Sequence, residues 1–383
     1  MPQTLRSFAT APLPKDLFIG LDRKQIHLCA GSEAPLLRAM QSGFDIYANA
    51  RSEGHIGRAR LEAAREDARR RCAVLLGVPD HASRIAFAAS TGHALDIVLR
   101  SVDWRDGDEI LSLVEEYPSV VMAGQWLKRI GVSTRLVPGG DAPEAELIAA
   151  AGPRTRMVIV SHVNYRTGLR LDIAELSGAL RQRGVLFVVD AGHSLGVLPV
   201  DAALCDAVVS CGHKFMMGPH GVGILYLARE GPPPESAARG WYSMDSVDNF
   251  AIRNGEPSFT FKNGASAYEI GNPAFLLLLG LIESMKVQES VGRGAIAEHA
   301  LGLASVLRDE LKARRIECWT PASPSRHGTS IAIPEPVGGE LYSALSERGI
   351  LVAKGVGRLR VSFHGYNDNN DLDAVIQCVA ALY

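Results

Sequence analysis

Leu186-Phe-Val-Val-Asp190-Ala-Gly-His193 and, further on, Ala207-Val-Val-Ser210-Cys211-Gly212-His213-Lys214-Phe-Met-Met-Gly218-Pro-His-Gly221-Val-Gly223 decide the fold of this chain. Each stretch opens on a short apolar run rich in β-branched residues, which predicts a buried strand. In an open α/β sheet, ligands lie beyond the carboxyl ends of the strands. Asp190 ends the first strand there, and Lys214 follows four residues after the second. A carboxylate at a strand end, or a lysine before glycines, is ordinary surface chemistry when met alone. Together, and closed by Gly-Pro-x-Gly-x-Gly, they supply an acid to keep a pyridine ring protonated and an amine to take up an aldehyde. Pyridoxal phosphate requires both.

Around these stretches, strand and helix patterns alternate. Leu61, Ala64, Ala68, Cys72 and Leu75 recur at helical spacing. Strands are expected at Ile85-Ala-Phe-Ala, Ile110-Leu-Ser-Leu and Met157-Val-Ile-Val, and helices over 91–100, 119–129 and 173–183. Such alternation builds βαβ units and a largely parallel sheet. Gly231-Pro-Pro-Pro punctuates the chain, and the polar stretch 247–263 reads as a loop. Beyond Gly271 a long helical stretch leads to strands near Ser330-Ile-Ala-Ile and Leu359-Arg-Val-Ser. The expected organisation is an amino-terminal arm (1–27), a large α/β domain (28–270) and a smaller α+β domain (271–383).

A chain of 383 residues exceeds one ordinary hydrophobic core. Its net charge of −2, with 21% charged residues, gives no electrostatic case for nucleic acid or an anionic membrane as partner. The longest apolar stretch, Ala274 to Ile282, is too short to span a bilayer. The start, Met-Pro-Gln-Thr-Leu-Arg-Ser-Phe, lacks the apolar centre of a secretory signal. Six cysteines stand singly, without metal-ligand spacing, which suits a reducing cytoplasm and no metal site.

Ser161-His-Val-Asn164-Tyr165-Arg-Thr-Gly168, Asp190, His193-Ser-x-Gly-x-x-Pro-Val and Gly212-His213-Lys214-Phe-x-x-Gly-Pro-x-Gly-x-Gly together resemble the class V aminotransferase family. That family includes cysteine desulfurases, selenocysteine lyases, kynureninases and isopenicillin-type epimerases. The first motifs look most like kynureninase and the last like the desulfurase branch; the similarity runs from about Gly31 to Ala381. It implies a PLP-dependent transferase of fold type I, with a mainly parallel seven-stranded-type sheet and a smaller α+β carboxy-terminal domain. It also implies a homodimer with shared active sites, acting on a small amino-acid substrate.

The resemblance assigns roles residue by residue. Lys214 would carry the cofactor as a Schiff base and shuttle protons, Asp190 would pair with the pyridine nitrogen, and His193 would bond the ring hydroxyl. Ser90, Thr91, Gly92 and His93 follow a strand and open a helix, so their N–H groups form an anion site for the phosphate; the same residues also suit plain N-capping. Cys211 and His213 occupy positions of the cofactor shell at which the branches of the family differ. Tyr117 corresponds to a side chain stacked on the ring. Asn164 is a cofactor-binding candidate, with the choice between it and Tyr165 open. Asn272, in Tyr268-Glu269-Ile-Gly271-Asn272-Pro273, would reach the phosphate from a second subunit. Arg360, in Arg358-Leu-Arg360-Val-Ser-Phe-His-Gly-Tyr366-Asn367, would hold the substrate α-carboxylate in its planar fork. Arg358 shares its face by strand alternation. His55, in Asn49-Ala-Arg51-Ser-Glu-Gly-His55, would line the mouth of the site and bind substrate.

One absence bears on the reaction. Leu351-Val-Ala-Lys-Gly-Val-Gly-Arg-Leu-Arg360 leaves no room for the cysteine-bearing loop of desulfurases, and Cys318 and Cys378 lie outside it. The expected activity is therefore a Cα- or Cβ-centred lyase or hydrolase, kynureninase-like or C–S lyase-like, without a persulfide cysteine. Transamination and epimerisation are the alternatives. Gly218-Pro-His-Gly221-Val-Gly223 leads into a strand and not a helix, which argues against a dinucleotide loop. A PLP-binding regulator would need a DNA-binding module that the short arm before Leu28 does not supply.

Overall fold

The computed structural model describes residues 8–383 except 9, 22–24, 231–233, 235–236, 247, 249, 336–337 and 356. The Gly231-Pro-Pro punctuation and most of the expected signal-free start lie outside the described residues. In chain order the first half comprises β1 (Ile26–Leu28), α1 (Met40–Ser52), α2 (Gly54–Leu75), β2 (Ile85–Ala88), α3 (Thr91–Arg100), β3 (Glu109–Leu113), α4 (Pro118–Ala123), β4 (Ser133–Val137), α5 (Pro143–Ala150), β5 (Thr155–Ser161) and α6 (Ile173–Gln182). There follow β6 (Leu186–Asp190), β7 (Ala207–Cys211), β8 (Gly223–Leu227), β9 (Ala251–Arg253), β10 (Glu256–Ser258), α7 (Phe275–Val291), α8 (Arg293–Ala313), β11 (Ser330–Pro334), α9 (Glu340–Glu347), β12 (Ile350–Gly355), β13 (Arg358–Ser362) and α10 (Asn369–Ala380).

Seven strands form the large sheet in the order β2-β8-β7-β6-β5-β3-β4. All run one way except β8, which lies antiparallel between β2 and β7. The central strands are apolar on both faces because both are covered. Along β5, Val158 and Val160 enter one core while Met157 and Ile159 enter another; β6 repeats this with Phe187 and Val189 against Val188. That two-sided burial is why Leu186-Phe-Val-Val reads as a continuous run and not as an alternation.

The second sheet has the order β1-β12-β13-β11, with β1 parallel to β12 and the other pairs antiparallel. Its core takes in Leu13, Phe18, Leu28 and Leu37 from the start of the chain beside Ile331, Leu359 and Val375 from its end. So the apolar side chains described ahead of α1 pack with the carboxy-terminal sheet. Conversely, α7 packs on α1 and α2 and buries Phe275, Leu278 and Leu281 in the large core, although it follows Gly271.

Local differences from the sequence reading have plain causes. The helix expected from Leu61 begins at Gly54, and the one expected over 119–129 ends at Ala123 and continues as a 3₁₀ turn from Gly124 to Ile130. Within the stretch read as a loop, β9 and β10 pair through the two-residue turn Asn254-Gly255, both at positive φ. Asn-Gly is the strongest short hairpin signal. Among the described residues no helix is long and apolar enough to cross a membrane.

Candidate active site

Five strands that run in one direction, β2, β3, β5, β6 and β7, end at one edge of the large sheet, and each delivers a polar group there. Asp190 closes β6, in register with Ser161 on β5 and Val209 on β7. Lys214 rises from the turn after β7, and its Nζ lies 5.2 Å from the centroid of Tyr117, which follows β3. Gly192 lies between acid and amine: a Cβ there would sit 3.0 Å from Asp190 Oδ1 and 3.7 Å from Lys214 Nζ.

Asp190 is buried, and burial raises its pKa while the nearby Lys214 charge opposes the rise. Its one protein donor is the Gly192 N–H at 2.7 Å, to Oδ1, so among the described residues Oδ2 accepts from nothing. His193, also buried, has Nδ1 without a partner. Burial, reinforced by Lys214, Arg360, Arg358 and His213, drives its pKa well below the usual imidazole range. An uncommitted carboxylate oxygen and an orphaned imidazole nitrogen at the end of one strand cost free energy unless a ligand satisfies them. They fit the ring nitrogen and ring hydroxyl of pyridoxal phosphate.

The phosphate end is the amino terminus of α3. Ser90 caps it by accepting from the His93 N–H at 3.1 Å, and His93 Nδ1 accepts from Ala89 N–H at 3.2 Å. Ser90 and His93 are exposed and Thr91 and Gly92 half-buried, so the helix start faces outward, where its N–H groups can meet an anion. Capping and anion binding thus share one structure. Gly223 makes it possible, since a Cβ there would lie 2.5 Å from the Ser90 carbonyl oxygen. Cys211 is buried beneath, with its thiol pKa raised by burial and the rise opposed by Lys214 and Thr91. Beside it, Ser210 Oγ is buried without a partner.

Across the cleft stands β13. Arg360 is 5% exposed and donates to the Tyr165 carbonyl (2.9 Å), the Gly31 carbonyl (3.0 Å) and Ser32 Oγ (3.1 Å). All three acceptors are neutral, and among the described residues Nε has no partner. Burial, with the Arg358 charge adding to it, pulls the Arg360 pKa down to about 10. Such a guanidinium lacks a carboxylate, which is what an α-carboxylate would supply.

Other candidates divide. Asn164 is committed to its own turn: Oδ1 accepts from Arg166 and Thr167 N–H, and Nδ2 donates to the Glu115 carbonyl. The neighbouring Tyr165 turns its ring edge-to-face onto Tyr117, with centroids 5.0 Å apart. His213 stacks on His220 at 4.3 Å, and His220 pairs with Glu33. Burial, with the His220 charge adding to it, lowers the His213 pKa to about 4. His55 is exposed at the start of α2, and among the described residues no hydrogen bond or ring contact joins it to these groups. Asn272 is exposed and lines a cavity of about 280 Å³ with Ala89, His93 and Gly221. The segment that carries it is pinned by Glu269, which accepts from Arg69 at 2.5 Å and from Phe87 N–H at 2.9 Å.

Glu116 escaped the sequence reading. It is buried behind Asp190, accepting from Ser161 N–H (2.7 Å) and Ser161 Oγ (2.5 Å). Burial raises its pKa to about 7, and Asp190 adds to the rise. The hint was two adjacent glutamates after a strand, of which one had to face the sheet. Among the described residues no group of His, Cys, Asp and Glu could hold a metal ion.

The family model for class V aminotransferases matches residues 30–375. A probable cysteine desulfurase of Pyrococcus abyssi is 26% identical over 76% of this chain and 77% of its own. The isopenicillin N epimerase of Streptomyces clavuligerus is 30% identical over 94% and 96%, and the kynureninase of Deinococcus radiodurans 30% identical over 73% and 68%. Among solved structures, the apo cysteine desulfurase of Thermococcus onnurineus superposes with a TM-score of 0.84 at 21% identity, covering 98% of this chain and 99% of its own. A C-DES variant with glycine covalently linked to its PLP cofactor gives 0.84 at 23%, covering 96% and 99%. The seven-stranded, parallel-rich sheet with its acid and lysine at one edge is therefore the fold type I scaffold, and pyridoxal phosphate is the cofactor that it serves. The chain belongs to the class V aminotransferase family.

Proposed function

We propose that this PLP-dependent enzyme is a lyase or hydrolase that breaks a bond at Cα or Cβ of an α-amino acid without a persulfide cysteine. The observation that carries the reading is that Lys214 and the carboxylate-free Arg360 both bear on His193 and are joined through Tyr117 and Tyr165. When bound, the cofactor withdraws electrons from Cα once its pyridine nitrogen is protonated. Lys214 is the amine that holds it covalently and, once released, moves the proton at Cα. Asp190 keeps the proton on the ring nitrogen, and the neutral His193 donates or accepts a hydrogen bond at the ring hydroxyl. Arg360 grips the α-carboxylate through two parallel hydrogen bonds and so fixes which Cα bond faces Lys214. Tyr117, with Tyr165 against its ring, forms the wall beside the lysine.

Against sulfur transfer, Cys29 is the cysteine near Arg360, and burial holds it a thiol with a pKa of about 11. A thiol so protonated is a poor nucleophile at neutral pH. Epimerisation is the second reading, favoured by the similarity to isopenicillin N epimerase over nearly the whole chain. The exposure of Asn272, in a segment that resembles one donated between subunits, supports a homodimer with shared active sites, and six free cysteines support a reducing cytoplasm.

The test is to incubate the purified enzyme with single amino acids and identify products by mass spectrometry. A cysteine-free variant should still release a carbonyl product or ammonia, and borohydride should fix the cofactor mass on the Lys214 peptide. A persulfide on any cysteine during turnover would overturn the reading; return of the inverted amino acid alone would establish the second. Mixed Lys214→Ala and Asn272→Ala chains should regain activity, whereas a fully active monomer would exclude shared sites.

A further inference from the structure

Arg358 has no task in the chemistry above, yet it is 5% exposed. Its guanidinium lies 5.4 Å from the centroid of the Tyr165 ring. Among the described residues its side chain makes no ion pair and no hydrogen bond. The ionisable groups near it are the neutral Tyr165 hydroxyl and two further cations, Arg166 and Arg360, and burial lowers its pKa. A largely enclosed cation without an acid beside it is a receptor for an anion.

Its place is built. A Cβ at Gly355 on the neighbouring strand would lie 3.1 Å from Arg358 Cζ and 3.2–3.3 Å from its terminal nitrogens, so the glycine clears the room in which the guanidinium rests. Alternation puts Arg358 on the same face of β13 as Arg360, about 6.6 Å along the strand. A short chain of contacts joins it to the lysine: Tyr165 meets Tyr117, and Tyr117 meets Lys214. Both arginines also bear on His193. The cofactor phosphate has its own receptor at the start of α3, on the large sheet, which leaves Arg358 to the substrate.

We propose that Arg358 is a specificity-determining residue that receives a second acidic group of the substrate, so that the enzyme prefers amino acids whose side chain ends in an oxyanion. The inference rests on the reading of Arg360 as the α-carboxylate receptor. Two guanidiniums one strand repeat apart suit an acidic side chain of about glutamate length.

The test is calorimetric and spectral titration of the holoenzyme with glutamate, aspartate, 2-aminoadipate and cysteine sulfinate, against norvaline and glutamine. Acidic amino acids should bind at least tenfold more tightly than neutral ones of equal length, and the carboxylate and sulfinate members distinguish the kind of oxyanion. Arg358→Gln should cut the acidic-to-neutral affinity ratio at least tenfold, and Arg358→Lys should restore part of it; Arg360→Gln should weaken both classes alike. Equal affinity for the two classes in the wild type, or an unchanged ratio in Arg358→Gln, overturns the proposal and leaves the Arg360 reading standing. Failure of every amino acid to bind overturns both. Should Arg358→Gln not fold, the wild-type panel alone decides.

Discussion

Arg65 and Arg69 on α2 are buried as deeply as Arg358 and Arg360 on β13, but their surroundings are opposite. The first pair converges on the buried Glu269, with Arg69 at 2.5 Å, and its charges are compensated inside the protein. The second pair meets carbonyls, a hydroxyl and an aromatic ring. Burial alone therefore does not tell a structural arginine from a ligand-binding one; the missing partner does. An arginine enclosed with its acid fastens one segment to another, here 268–273 to α2. One enclosed without an acid is held in readiness by the rest of the fold, at a cost that binding offsets.

Removing the acid from the compensated pair should have the largest effect. Glu269→Ala takes the one buried acid from Arg65 and Arg69, leaving them the more exposed Glu62 and Glu66, and should cost about 3 kcal/mol in urea unfolding; a loss below about 1 kcal/mol would erase the contrast. Arg360→Gln should do the reverse, leaving stability equal or higher while kcat/KM falls by roughly 2–5 kcal/mol of transition-state binding. A variant that unfolds early yet keeps its turnover would make Arg360 structural after all.

Glu116 carries the comparison to an acid with only neutral donors. Its folded pKa of about 7 stands above the ordinary 4.5, so between those values the folded state holds more protons than the unfolded one. Stability from this group is greatest below pH 4.5 and falls as pH rises through 7. Glu116→Gln should therefore gain on the wild type by up to about 3 kcal/mol between pH 4.5 and pH 8. A gap that does not change with pH would mean that Glu116 is already ionised throughout. Smallest of all, Arg314→Ala breaks a solvent-facing pair with Glu310 one helical turn away and should cost less than about 0.5 kcal/mol.

The cofactor half of the site was legible because its chemistry is local in sequence. Asp190, His193 and Lys214 sit at fixed offsets from two apolar runs, and the start of α3 follows its strand directly. What could not be read depends on distant pairing. Glu116 acquires its role from Ser161, and Glu269 from α2, neither of which spacing reveals. The Asx-type turn closed by the Asn164 side-chain oxygen likewise depends on its surroundings and not on spacing. β4 was missed because it is a largely exposed edge strand, Ser133-Thr-Arg-Leu-Val137, without the apolar signature of its neighbours. β1 and β12 were missed for a related reason: each is too short or too mixed to announce itself, and their pairing crosses nearly the whole chain.

That last pairing has a consequence for how the molecule is made. Ile26–Leu28 leave the ribosome among the first residues, and their partner Ile350–Val352 among the last. The large sheet, complete by Leu227, can close while synthesis continues, whereas the first strand must wait with its edge and its apolar neighbours Leu13 and Phe18 uncovered. Contacts of such long range form slowly and leave intermediates prone to association. A chain truncated before Ile350 would therefore keep a folded large sheet with a sticky amino-terminal arm, and the cleft would gain its second wall only in the final moments of translation.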